Sequence, residues 1–296
     1  MKAGLIANTT KENMAAAINT VADALILEGF TCLLSDSILE IASDEMKRKF
    51  KFLPDLELID SIDVIISLGG DGTLLNTASI TLESGKPIAG VNFGKLGFLT
   101  EIHKETLNES FRDIKSGDFF LEERIVLKGE SDNLPECNIL AINDIVIEKG
   151  GWPKMMEMNL YANNDLVSVF SADGLIISTP TGSTGYSLSA GGPIINPRAD
   201  VVVISPICPH SLTMRPLVLP ADMVISVQIN NHPVKFSINC DGQRVNEVSS
   251  PFSINISKGP NPLKLIRSKN SSYFNVLRNK LFWGIDVRER RLKAEG

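Results

Sequence analysis

The run Ile62-Asp63-Val64-Ile65-Ile66-Ser67-Leu68 passes without interruption into Gly69-Gly70-Asp71-Gly72-Thr73. A β-branched apolar run of this length reads as a buried strand. A glycine cluster at its end, followed by helix-like spacing over Leu74–Glu83, is how an α/β sheet turns from strand to helix. The flanks agree. Residues 3–7 form a short apolar strand pattern, and Met14, Ile18, Val21 and Leu25 recur at helical steps, with Gly29 where a C-terminal cap belongs. Phe30–Leu34 and Pro87–Val91 add two further strands, whereas Ser35–Asp60 is charged and irregular. Residues 1–122 therefore read as an α/β domain with a parallel sheet.

The character changes after Glu122. From Arg124 to Arg267 the chain offers short apolar runs at close spacing, among them Ile139–Glu148, Met156–Ala162, Leu175–Ser178 and Val234–Ile238, broken by Gly, Pro, Asn and Asp. Long helical periodicity is missing, so residues 123–274 read as a β-rich second domain. Two domains also suit a chain of 296 residues. The tail from Phe274 is helix-like and then basic, which suits a terminal helix with a solvated end.

The net charge of −6, with no basic block before the tail, excludes a nucleic-acid protein that works by neutralising phosphates. No apolar run approaches the roughly 18 residues of a membrane span, and the N-terminal residues lack a secretory pattern, so a cytoplasmic location is expected. Cys32, Cys137, Cys208 and Cys240, and His103, His210 and His232, are scattered, which leaves no metal ligands firmly assigned.

Four segments carry candidate chemistry. In Gly69-Gly70-Asp71-Gly72, glycines let the backbone approach a ligand and point N–H groups at phosphate, and the helix N-terminus adds a favourable dipole. A carboxylate among those donors needs another task, such as accepting a hydroxyl proton or holding a cation; the competing reading is a plain Asp-Gly turn. The second segment runs from Ser171-Ala172-Asp173-Gly174 through Thr181-Gly182-Ser183-Thr184-Gly185-Tyr186-Ser187-Leu188-Ser189 to Pro193. It is dense in hydroxyls that can read a polar ligand, and Tyr186 is able to stack on a base or ribose; a surface loop of Ser and Thr turns is the alternative. The third, Asn143-Asp144, interrupts an apolar strand with groups suited to a base edge and vicinal hydroxyls, although an Asx turn or bulge explains the pair alone. The fourth comprises Ser205–Leu212 and Asp241-Gly242-Gln243, shaped turns that a structural role also explains.

Together these segments resemble the NAD kinase family. The Gly69–Gly72 loop alone is shared with lipid kinases and phosphofructokinases, but Ser178–Tyr186 is far more specific, and the matching segments, including Asn92–Thr100 and Pro206–Pro216, span nearly the whole chain. The resemblance implies an N-terminal Rossmann-like α/β domain and a C-terminal β-sandwich, with residues 275–296 packing back on the first. It implies transfer of the γ-phosphoryl of ATP to the 2′-hydroxyl of the adenosine ribose of NAD, assisted by Mg2+ or another divalent cation, in a homodimer or homotetramer. Asp71 matches the proposed general base. Asn143 would read the adenine, Asp144 the ribose hydroxyls, and Asp173 the nicotinamide end; Thr181, Thr184, Gly185, Tyr186, Ser187, Ser189 and Gln243 match further ligand positions. This chain carries Asp144 where many relatives have Glu, and Ser171 and Asn76 where many have a basic residue, with Lys154 a candidate for the displaced positive charge. Two other functions fit the same motifs: a Gly-Gly-Asp-Gly kinase of lipids or sugars, and a non-catalytic NAD(P) sensor.

Overall fold

The computed structural model describes residues 1–10, 13–94, 97–135, 137–151, 154–230 and 235–284. Lys95 and Leu96 of the 92–100 run, His232, and the basic end of the tail lie outside them. The chain divides into two compact units: Met1–Glu122 together with the segment from Lys264 onward, and Glu123–Leu263.

The first unit is built on a seven-stranded sheet in the order Lys51–Leu53, Thr31–Ser35, Lys2–Ala7, Val64–Leu68, Ile88–Val91, Leu263–Ser268 and Phe119–Arg124. The pairings from Lys51–Leu53 across to Leu263–Ser268 are parallel. Every residue of Val64–Leu68 is buried, as a strand covered on both faces requires. The helix Met14–Leu27 buries the stripe Met14, Ile18, Val21 and Leu25 against the sheet core, each large side chain contributing about 1.5–3 kcal/mol. Its end is marked by Gly29, at φ +77°.

Two features differ from the sequence reading. The segment 35–60 is ordered into helices Asp44–Lys49 and Asp55–Ser61 around the strand Lys51–Leu53. Elements this short show no period, but the first carries a cap: Ser43 Oγ accepts the Met46 N–H at 3.2 Å, with acids in its first turn and bases in its last. The strand Leu263–Ser268, within the 123–274 stretch assigned to the second domain, lies in the parallel sheet with Leu265 opposite Ile88. Its short apolar run looks like its neighbours in the chain, and nothing local says which sheet it joins.

The second unit is an antiparallel β-sandwich, as the resemblance implied. One sheet runs Asp165–Ala172, Met156–Ala162, Ile225–Ile229, Phe252–Lys258, Leu127–Glu130, Ile139–Ala141. The other runs Leu217–Pro220, Val201–Ile207, Gly174–Ser178, Asp144–Lys149, Lys235–Cys240, Arg244–Ser249. Their inner faces share one core, where Phe236 of the second sheet meets Phe252 of the first edge to face at 5.3 Å. Asp144 pairs with Ser178, and Ile145 with Cys240. Three central strands therefore place Asn143-Asp144, Ser178-Thr179 and Asp241 at the same end of the sheet.

Candidate active site

In the first unit, Gly69 donates its N–H to Val91 O at 2.9 Å, and Gly70 caps the helix Asp71–Thr81 by accepting from Thr73 and Leu74. A side chain at Gly69 would meet Thr73 Oγ1 at 2.2 Å, so only glycine fits the close turn. Asp71 is the first residue of the helix, where an acid is favoured by the dipole. Its Oδ1 accepts from Leu99 N at 3.0 Å, Thr100 N at 3.2 Å and Thr100 Oγ1 at 3.3 Å; among the described residues, Oδ2 accepts from Phe98 N alone, at 2.7 Å. A carboxylate oxygen has two lone pairs, so Oδ2 keeps one direction for an incoming proton. Gly72, beside it, is exposed.

In the second unit a cavity of about 290 Å³ is lined by Asn143, Asp144, Val146, Glu148, Tyr186, Asn239, Asp241 and Gly242. Its floor is shaped by Asp241, a buried residue at φ 56°. The Asp241 carboxylate accepts the successive N–H groups of Ile142, Asn143 and Asp144, at 2.7 Å for Asn143, and pairs with Arg244 at 3.0 Å. Arg244 also donates to Leu140 O at 2.7 Å. Burial raises the Asp241 carboxyl, while those backbone donors and Arg244 oppose the rise. Burial, and then the charge of Asp241, push Asp144 up to about 7. Asn239 Oδ1 is buried without a donor among the described residues, an acceptor available to an amino group of a ligand.

The hydroxyl-rich run turns mostly inward. Thr179 Oγ1 donates to Ile142 O at 2.6 Å, Ser178 Oγ to Asn143 O at 3.1 Å, and Ser183 Oγ to Pro180 O at 2.6 Å. Ser187, fully buried, bonds Ser205 Oγ at 2.9 Å; Thr184 Oγ1 donates to Thr181 O at 3.3 Å, and Thr181 Oγ1 accepts from buried Arg124 at 3.2 Å. The run is packed under the Asn143 turn, and buried hydroxyls must find partners there. Tyr186 is its member on the pocket wall, and the residue is 44% exposed.

The structure thus brings Asn143, Asp144 and Tyr186 together. It does not bring Lys154, Ser189, Gly185 or Gln243 to the cavity wall; all four are exposed. Asp173 is partly buried and pairs with Lys149 at 2.6 Å, a cation that motif reading missed. Also missed were Asn239 and Arg244, neither of which stands out in a sequence, because what each faces is brought there by the pairing of distant strands. Among the described residues, no three His, Cys, Asp or Glu side chains converge on a common point that could hold a metal ion, and no helix is long and apolar enough to cross a membrane.

A parallel sheet whose central strand ends in Gly-Gly-Asp-Gly, joined to a sandwich bearing a pocket of amide, carboxylate and aromatic groups, defines a two-unit nucleotide kinase. Residues 3–119 match the family model of the ATP-NAD kinase N-terminal domain, and residues 142–268 that of the ATP-NAD kinase C-terminal domain. The NAD kinase of Gemmatimonas aurantiaca is 37% identical over 96% of this chain and 96% of its own length, and that of Thermoanaerobacter sp. strain X514 is 38% identical over 95% and 98%. The chain belongs to the NAD kinase family. Among solved structures, the Archaeoglobus fulgidus NAD kinase in complex with ATP is similar with a TM-score of 0.74 and 26% identity, over 94% of this chain and 99% of that one. Yeast NADH kinase complexed with NADH shares the fold at a TM-score of 0.87 and 23% identity, over 97% and 89%.

Proposed function

We propose that this chain transfers the γ-phosphoryl group of ATP to the 2′-hydroxyl of the adenosine ribose of NAD, giving NADP. The 2′-oxygen forms a bond to the γ-phosphorus, the bridge from that phosphorus to the β-phosphate oxygen breaks, and ADP leaves. The hydroxyl proton passes to Asp71 Oδ2. The observation that carries this reading is that Asp71, at a helix N-terminus, is held by four hydrogen bonds among the described residues, which leave one acceptor direction on Oδ2. A pure binding protein gains nothing from a fixed carboxylate in a phosphate loop.

In the second unit, Asn143 reads the adenine edge, Asp144 binds ribose hydroxyls, and Tyr186 stacks. Thr181 and Ser187 support the turn beneath them, and Asp173 serves the nicotinamide end. Mg2+ arrives as part of the MgATP substrate, which suits an ion that is usually bound by one or two carboxylates plus phosphates. When bound it neutralises charge on the transferring phosphates. The enzyme works in the cytoplasm as a homodimer or homotetramer; Leu166 and Val169, more than half exposed on the sheet-edge strand Asp165–Ala172, offer apolar surface for self-association.

An endpoint assay tests the reading. The protein is incubated with NAD, ATP and Mg2+, and NADP is read with a strictly NADP-dependent dehydrogenase, beside Asp71→Asn. NADP from the wild type, with Asp71→Asn slower by about 1000-fold or more, is the expected result. No NADP from either, with NAD still bound, overturns the kinase reading in favour of a sensor or another acceptor.

A further inference from the structure

We propose that Arg267 is a positioning residue for Asp71, acting through the Phe98–Leu99 segment. This deepens the kinase reading above and rests on it.

Arg267 lies on the strand Leu263–Ser268 and is 5% exposed. Its Nη1 donates to Leu99 O at 3.0 Å and its Nη2 to Phe98 O at 3.1 Å. Its Nε is paired with the Glu122 carboxylate at 2.9 Å, and Glu101 approaches Nη1 at 3.5 Å. The same two residues that give their carbonyls to Arg267 give their amides to Asp71: Phe98 N to Oδ2 at 2.7 Å and Leu99 N to Oδ1 at 3.0 Å. The Phe98–Leu99 and Leu99–Thr100 peptides are therefore held by their oxygens on a rigid planar fork and by their N–H groups, Leu99 N at 3.0 Å and Thr100 N at 3.2 Å, on Oδ1 of the proposed base.

The arrangement has a chemical purpose that packing alone does not need. A carboxylate on the first residue of a helix can turn about two side-chain bonds, and proton transfer requires its acceptor within a narrow distance and angle. Fixing those two peptides fixes Oδ1 and with it the plane of the carboxylate, and so aims Oδ2, which accepts Phe98 N, as the acceptor. The backbone approaches so closely that a side chain at Gly97 would stand 2.0 Å from Asp71 Oδ1. Guanidinium suits the task because its donors lie in one plane at set spacing, whereas an ammonium is a point charge on a flexible stem. Glu122 and Glu101 allow that cation to be buried without a large desolvation cost.

The experiment compares kcat and KM in wild type, Arg267→Lys, Asp71→Asn and the double variant, at a temperature where circular dichroism shows each folded. Arg267→Lys is expected to lose about 30- to 100-fold in kcat, with KM for NAD and ATP within about twofold. In the Asp71→Asn background the same change should cost almost nothing, because residues acting as a unit are non-additive. Arg267→Ala should be lower still and partly restored by added guanidinium, a rescue that a merely structural role does not predict. Wild-type kcat in Arg267→Lys overturns the proposal, as does an equal loss in both backgrounds. Retained kcat in Asp71→Asn overturns the base assignment itself, and the positioning role with it, so the two failures are told apart.

Discussion

The Asp241 carboxylate accepts the backbone N–H of Asn143 at 2.7 Å and so sets the turn from which Asn143 and Asp144 face the cavity. It behaves like a helix cap without a helix: one buried anion collects three consecutive amides, and Arg244 neutralises it. Asp241→Asn keeps the shape but loses the charge and one acceptor oxygen. It should destabilise the fold by about 2–4 kcal/mol in thermal or urea unfolding, and raise KM for NAD more than it lowers kcat. An unchanged KM for NAD would remove Asp241 from the shaping of the pocket.

Asp144 supplies a pH dependence whose sign is fixed. Its folded value near 7 stands above the ordinary carboxylate range, so between the two the folded chain holds a proton that the unfolded chain has lost. The stability this contributes is fully present below the ordinary carboxylate value and is lost as pH rises through about 7. Asp144→Asn should abolish that slope and stabilise the protein by on the order of 2–4 kcal/mol in mildly alkaline buffer. An ionised carboxylate accepts ribose hydroxyls more strongly than a neutral carboxyl, so KM for NAD should rise as pH falls through the same window in wild type and stay level in the variant. Both trends are read by unfolding and steady-state series across pH.

Gly97→Ala tests how tightly Asp71 is held. The added carbon would sit 2.0 Å from Asp71 Oδ1 and 2.2 Å from Thr100 Oγ1, and the carboxylate must turn away. A drop in kcat of about 100-fold, with a native circular dichroism spectrum, is the expected outcome.

Gly182→Ala addresses the floor of the pocket. Its new carbon would meet the Asn143 carbonyl oxygen at 2.2 Å, and neither the Asn143 turn nor the short helical turn Gly182–Thr184 can yield cheaply. The loss should reach about 1–3 kcal/mol or more in unfolding. Gly242→Ala is the control: with φ +69° and open space around it, it carries only the local backbone penalty of about 1–2 kcal/mol.

Local pattern was enough for elements whose signal is local. The stripe Met14, Ile18, Val21, Leu25 and the run Val64–Leu68 lie where their periods place them, because core burial follows spacing. Ser178–Ser189 announced itself by composition, yet composition could not say that its hydroxyls face inward, since that depends on the Asn143 turn lying above them. Arg267 was invisible for a related reason: it meets Leu99 across 168 residues of chain, and a single arginine in a short apolar strand has no period to betray its partner.

The strand Leu263–Ser268 has a temporal consequence. In the sheet it stands between Ile88–Val91 and Phe119–Arg124, but a ribosome makes it only after all of residues 123–262. The nascent first unit therefore waits with a gap in its sheet while the sandwich is synthesised. Asp71 emerges early and receives its brace late, so the growing chain cannot set its base in place before the inserted unit has been made.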